Sequence, residues 1–299
     1  MNIFSNPVYK REIMVSTRSF RLALVLLVFN GILALVALLN MYSTLARVRI
    51  TAEIQYSSFL DLYIFVAVLE FVMLIFIMPA ITAGSISGER ERQTLDLMLS
   101  TKMTPIQIVM GKLAASLSTM GLLIVSSFPI LALVFVYGGV TMKDMGMLLV
   151  CFVAAALFVG SLGVCCSALF RKSTLSTVVA YGVMGGIVAG TYGVNQLVMF
   201  LGRMSGAYAA SGEAGAMAGS SGGFLYLLLL NPTATFVLTM LRLAGREQAE
   251  GGVAQWFGTH RESFVSQNWI GCSVILQAAM AAVFVWAAVR AVGPGRRKG

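Results

Sequence analysis

The chain has 299 residues, of which 58% are hydrophobic and only 11% charged. A soluble domain carries about a quarter charged residues, and a disordered chain is poor in apolar ones, so neither class fits. What remains is a polytopic membrane protein with room for six or seven spans of about 20 residues each. The formal charge of +9 comes without aromatic–basic interleaving or a nucleic-acid motif, so it reads as a topology signal and no nucleic-acid partner is expected.

The first 21 residues contain NPVYKREIMVSTRSFR. Asn6 is a good helix cap and Pro7 suits the first helical position. Tyr9, Ile13 and Phe20 fall near one face, with Lys10, Arg11 and Arg18 off it, which predicts an amphipathic helix lying along the inner membrane surface. The first apolar run begins after about twenty residues and is too long for a signal-peptide core, so no cleavable leader is expected.

Six spans are predicted, at 22–46, 62–84, 105–138, 146–170, 174–200 and 267–290. At ~1.5 Å per residue each crosses ~30 Å of hydrocarbon as a helix. None shows the alternation of a membrane β-barrel, so the fold class is all-α. With the N-terminus inside, fourteen Lys and Arg fall on inner segments and seven on outer ones. Four of those seven (Arg203, Arg242, Arg246 and Arg261) lie in the long 201–266 connection, where the positive-inside rule has little force. Both termini are therefore expected in the cytoplasm and the chain in the cell membrane.

Some spans carry polar groups. Glu70 sits near the middle of span two, where an ionised acid costs on the order of 3 kcal/mol. It must face the bundle interior or a wet cavity, or be protonated. Asn30, Asn195 and Gln196 are further candidates for a translocation path or gate, or for interhelical hydrogen bonding. In span five Gly182, Gly186 and Gly190 recur every four residues, a stripe that lets helices approach closely, within one subunit or across a dimer. Ala156, Gly160, Gly163 and Ser167 form a similar series in span four.

The loop at 85–104 is the most informative segment. Glu89-Arg90-Glu91-Arg92 mixes charges, whereas a loop serving topology alone would be basic. Leu95, Met98 and Leu99, with Asp96 beside them, follow at helical spacing and predict a short amphipathic helix. Thr104-Pro105-Ile106-Gln107 is a capping-box pattern that starts span three as a fresh helix. A small charged helix presented in this way suits a partner's groove or, failing that, the lipid surface.

Phe224 to Leu241 is apolar enough to span, but Asn231-Pro232 breaks it. It is predicted to be a re-entrant or interfacial pair of short helices on the outer side, with a seventh span as the alternative. The Gly/Ala/Ser-rich stretch 202–223 before it reads as a flexible connection. Cys151, Cys165, Cys166 and Cys272 lie in apolar stretches without metal or disulfide spacing, and His260 stands alone, so no metal site and no catalytic residue is expected. Gly111-Lys112 lacks the rest of a phosphate-cradling G-x-x-x-x-G-K-[ST] loop, so the chain is not expected to hydrolyse ATP.

Two segments carry a family resemblance. Ile86 to Met98, ISGERERQTLDLM, followed by Thr104-Pro105 and Ile108-Val109-Met110-Gly111-Lys112, resembles the loop after the second span of ABC-2 type exporter permeases, and NPVYKRE resembles their start. The resemblance implies six spans per subunit, a dimer with a second copy or related permease, and two cytoplasmic ABC ATPase subunits that carry the ATP and Mg. It implies that the 85–104 loop is the coupling helix, with Glu89, Arg90, Glu91, Arg92, Leu95, Asp96, Met98 and Leu99 as candidate ATPase contacts. The function implied is ATP-driven export by alternating access. A six-span scaffold or anchor, and a proton-coupled secondary transporter using Glu70, are the rival readings.

Overall fold

The computed structural model describes residues 6–51, 56–100, 103–137, 141–209, 222–244 and 264–293. Among these the regular structure is helical: α1 (Pro7–Thr17), α2 (Phe20–Thr51), α3 (Tyr56–Thr82), α4 (Ser87–Glu91), α5 (Thr94–Ser100), α6 (Pro105–Tyr137), α7 (Met142–Leu169), α8 (Ser173–Ala209), a 3-10 segment (Gly222–Leu230), α9 (Pro232–Leu243), α10 (Phe264–Gln267) and α11 (Trp269–Val292). Six of the described helices, α2, α3, α6, α7, α8 and α11, are long and apolar enough to cross a membrane. The chain divides into two compact units, 1–180 with 281–299, and 181–280.

In the first unit α3, α6 and α7 pack on one another, and α2 lies against α3 and α6. The contact between α3 and α7 rests on small residues. A Cβ added at Gly160 would collide with Met78, and one at Gly163 with Thr82, so both glycines permit close approach of the backbones. Phe71 and Phe152 stack at 6.2 Å between ring centres across the same contact. Polar bridges join α6 to its neighbours: Ser127 Oγ donates to Glu70 Oε1, and Asn30 Nδ2 donates to Ser126 Oγ at 2.8 Å. The end of α11 joins this unit through Phe284, Ala288 and Val292.

The N-terminal helix forms where the cap predicted it. Asn6 Oδ1 accepts from Val8 N at 3.0 Å, and Pro7 opens α1. Part of it packs on the bundle. α1 docks on α6 through Val8, which is buried, while Tyr9 bonds Ser118 across the contact and Phe20 lies beyond the helix and is exposed.

In the second unit the apolar stretch expected to be broken does break at Asn231-Pro232, and its two helices meet at 97°. Asn231 holds the corner. Its Oδ1 accepts from Thr233 N, and its Nδ2 donates to Thr191 Oγ1 at 2.8 Å. Leu225, Leu228, Leu229, Ala234, Leu238 and Trp269 form the apolar cluster beneath it. Ser273 Oγ donates to the carbonyl of Leu229 and bonds Thr235, and Gln277 Nε2 donates to both hydroxyls. Part of the stretch expected to be flexible is helical, since α8 continues to Ala209; residues 210–221 lie outside the described residues. Lys102, Arg246, His260, Arg261 and the basic tail Arg296-Arg297-Lys298 also lie outside them, as does the side chain of Asp96.

Candidate functional site

The link between α3 and α6 is an elbow of two short helices rather than the single one expected. α4 ends at Glu91, and Gln93 turns the chain with φ 57°, the left-handed region that a non-glycine residue enters at some cost. A hydroxyl of α7 bonds the start of the elbow. Ser167 Oγ accepts from Ile86 N at 2.8 Å and from Ser87 N at 2.9 Å, and lies 3.2 Å from Ser87 Oγ. All three residues are buried. The start of α4 leaves N–H donors without helical partners, and a buried one left unpaired costs about 1–3 kcal/mol.

An ion-paired hub lies beside the elbow. Lys112 on α6 is only 4% exposed, and its Nζ donates to Glu12 Oε1 at 2.9 Å and to Glu89 Oε1 at 2.8 Å. A buried ammonium persists only when paired, and here two carboxylates share it, one from α1 and one from α4. Three separate stretches of sequence thereby meet at one side chain. The neighbouring Gly111 makes the approach possible. A Cβ there would stand 2.9 Å from Val8 Cβ and 3.0 Å from Asn6 Nδ2, closer than atoms settle. Asn6 Nδ2 also donates to the carbonyl of Gln107 at 2.7 Å, tying α1 to α6 a second time. Next to the hub opens a cleft of ≈ 450 Å³, lined on its charged side by Arg11, Glu12, Glu89, Glu91, Arg92 and Lys112.

The candidate contacts of the elbow divide by orientation. Leu95 is 5% exposed and sits in an apolar cluster with Ile86, Ile108, Val109 and Leu113, and Met98 and Leu99 pack against that cluster. Glu89 is turned to Lys112, and Arg90 donates to the carbonyl of Phe170 at 3.4 Å. Glu91 accepts from Ser173 N at 3.1 Å while remaining exposed, and Arg92 and Gln93 are exposed. Among the described side chains of the elbow, the run 91–93 is thus an outward polar surface.

The residues proposed for a path fall in both units. Glu70 and Asn30 are brought to adjacent serines of α6, and Glu70 Oε2 and Asn30 Oδ1 are buried without a hydrogen-bond partner among the described residues. Asn195 is buried on α8, where its Nδ2 lies 3.7 Å from Met199 Sδ, and Gln196 is exposed. A Cβ added at Gly182, Gly186 or Gly190 would meet nothing within 4 Å. Among the described residues no group of three His, Cys, Asp or Glu gathers to hold a metal.

Sequence reasoning passed over three residues of the site. Glu12 and Lys112 had a signal: a lone lysine inside the third span, with a single acid in the N-terminal segment and several in the 85–104 loop. Ser167 had none, because a serine that caps a distant turn looks like any small residue of a span.

A chain whose described helices include six long and apolar enough to cross a membrane, with a charged, self-braced elbow between the second and third, is a multi-pass membrane protein. Its residues 38–290 match the family described as ABC-2 family transporter protein, and the chain belongs to that family. The match takes in the elbow, Lys112 and the Asn231 corner but begins after α1, so Glu12 lies outside it. No curated protein matches the chain.

Proposed function

We propose that the chain is the membrane permease subunit of an ATP-driven exporter. Two copies, or one copy and a related chain, form the transmembrane unit, with both termini in the cytoplasm of the cell membrane. Separate ABC ATPase subunits bind and hydrolyse ATP with Mg and hold the elbow. Changes in the ATPases press on α4 and α5, and the force reaches α7 through Ser167 and both α6 and α1 through Lys112. The bundle then exchanges inward- and outward-open arrangements because the ATPase states bind the two with different affinity.

The observation that carries this reading is the orientation of the elbow within a chain of the ABC-2 family. Its apolar side is already packed on the bundle, and its polar run Glu91-Arg92-Gln93 is left outward as a surface a motor can grip. A gripped surface must be braced from behind, and the hydroxyl and ion-pair anchors supply that brace. Charge complementarity then sets partner choice. Glu70 and Asn30, held at adjacent serines, are the path or gating candidates of the first unit, and Asn195 and Gln196 those of the second.

The test is co-expression with an ATPase subunit encoded beside the permease. Glu91→Lys combined with Arg92→Glu reverses the outward charges without touching the apolar cluster. We expect loss of co-purification and of ATP-driven transport with the permease still folded. Full assembly and transport in that variant overturn the assignment of this surface.

A further inference from the structure

Two neighbouring serines of α6 receive polar partners from α2 and α3, and the protons at these contacts can be counted. Ser126 Oγ donates to the carbonyl of Leu123 at 2.7 Å, and Ser127 Oγ to that of Ile124 at 2.8 Å. A hydroxyl has one proton, so each serine is left with acceptor capacity only. At Ser126 a donor fills it, Asn30 Nδ2 at 2.8 Å. At Ser127 the second partner is Glu70 Oε1. An ionised carboxyl only accepts, so Ser127 would then have one proton for two acceptors.

The surroundings offer a negative charge no compensation. Glu70 is 1% exposed and Ser127 is fully buried. The ion pairs among the described residues both belong to Lys112, which lies about four turns along α6 and is held by Glu12 and Glu89. On α3 itself Tyr63, about two turns away, is buried with its hydroxyl unpartnered among the described residues. α7 brings the Cys151 thiol and, at its start, Asp144, which Thr141 holds, and Lys143, which is exposed. α2 brings Tyr42, also exposed. None of these pairs with Glu70. A buried carboxylate without a cation is strongly disfavoured. A proton on Oε1 removes both difficulties. Oε1–H donates to Ser127 Oγ, the serine's own proton stays on Ile124, and the pattern matches that at Ser126. Oε2, buried without a partner among the described residues, is then a neutral carbonyl oxygen.

We propose that Glu70 is a proton-holding latch between α3 and α6, a neutral acid while the two helices are packed as in this structure and a carboxylate once their contact opens to water. Opening breaks the Oε1–H bond, leaves its electron pair on the carboxylate and passes the proton to water; closing takes one proton back. The packed arrangement therefore holds one proton more than the open one. Low pH favours packing and high pH favours opening, by up to about tenfold per pH unit. The opening step deepens the reading of Glu70 as a gating residue and rests on it; the proton count does not.

The full-length permease in lipid nanodiscs, without an ATPase, tests both parts. In the infrared difference between wild type and Glu70→Gln at neutral pH, the wild type is expected to show a protonated-carboxyl C=O band that shifts in D2O. Carboxylate bands in its place overturn the proton assignment. The amide of Glu70→Gln still supplies Ser127 with a donor, so this variant keeps the contact but has no proton to lose. Spin labels on Val72→Cys of α3 and Val125→Cys of α6, both exposed positions, read the packed and open populations. The open fraction should rise with pH in the wild-type background and stay flat in Glu70→Gln. A flat response in both, or the same slope in both, overturns the latch. Neither readout involves the ATPase, so a failure of the elbow assignment leaves both unaffected, and a carboxylate band leaves ATPase assembly untouched.

Discussion

Replacing Lys112 with methionine tests the hub directly. The side chains are similar in length, so packing against α6 changes little while the ammonium disappears. Glu89 is 16% exposed and its Oε2 already has no partner among the described residues, so the variant leaves a largely buried carboxylate with neither oxygen satisfied by Lys112. Removing one member of a buried pair costs about 3–5 kcal/mol. Glu12 is 32% exposed and regains water, which places the expected loss at the lower end, about 3 kcal/mol. For a chain of this size that corresponds to a fall in Tm of roughly 5 °C. Thermal unfolding in detergent, followed by tryptophan fluorescence, measures it. A second substitution gives the sign. Glu89→Gln should destabilise the wild type and stabilise Lys112→Met, because in the variant it removes an orphaned charge. An unchanged Tm in Lys112→Met, or an additive effect of Glu89→Gln, would refute the idea that this lysine binds the elbow to α1 and α6.

Two further outcomes follow from the same geometry. Ser167→Ala strips the acceptor from two buried N–H groups and should cost about 2–4 kcal/mol; limited proteolysis should then cut near residues 86–93, and an intact elbow in this variant would show that the hydroxyl is dispensable. Glu70→Gln keeps an acceptor for Ser127 and should preserve Tm within about 2 °C, as for a substitution that retains its hydrogen bond; if Glu70 lines the path, transport in the variant changes while ATPase assembly does not.

Much of the architecture was legible because membranes impose blunt rules. Uncharged runs long enough to cross hydrocarbon have little choice but helix, so the six long helices stood out in the sequence. Local chemistry was legible as well: Asn6-Pro7 and Asn231-Pro232 each cap a helix where the residue pair demands it. Orientation was harder to read. Leu95, Met98 and Leu99 have the spacing of an amphipathic helix, but spacing alone does not say whether the apolar face meets a partner or the protein's own bundle; they pack on the bundle. The docking of α1 on α6 was not legible for a related reason. Its docking is dictated by the absence of a side chain at Gly111, a feature of another helix about a hundred residues away. The hub itself is a three-body contact between segments at 12, 89 and 112, which no local pattern encodes. Only the complementarity of one buried lysine and two acids hinted at it.

The most direct measurement on the central claim is site-specific cross-linking from the elbow. Three of the native cysteines, Cys151, Cys165 and Cys166, are buried and Cys272 is half-buried, so a cysteine introduced as Gln93→Cys is the most accessible thiol among the described residues. In the complex isolated with its ATPase, that position should cross-link to the ATPase subunit. In membranes it should react with an impermeant maleimide only from the cytoplasmic side, and less once the ATPase is bound. Labelling from the outside of intact cells, or labelling that is indifferent to the ATPase, would contradict the account.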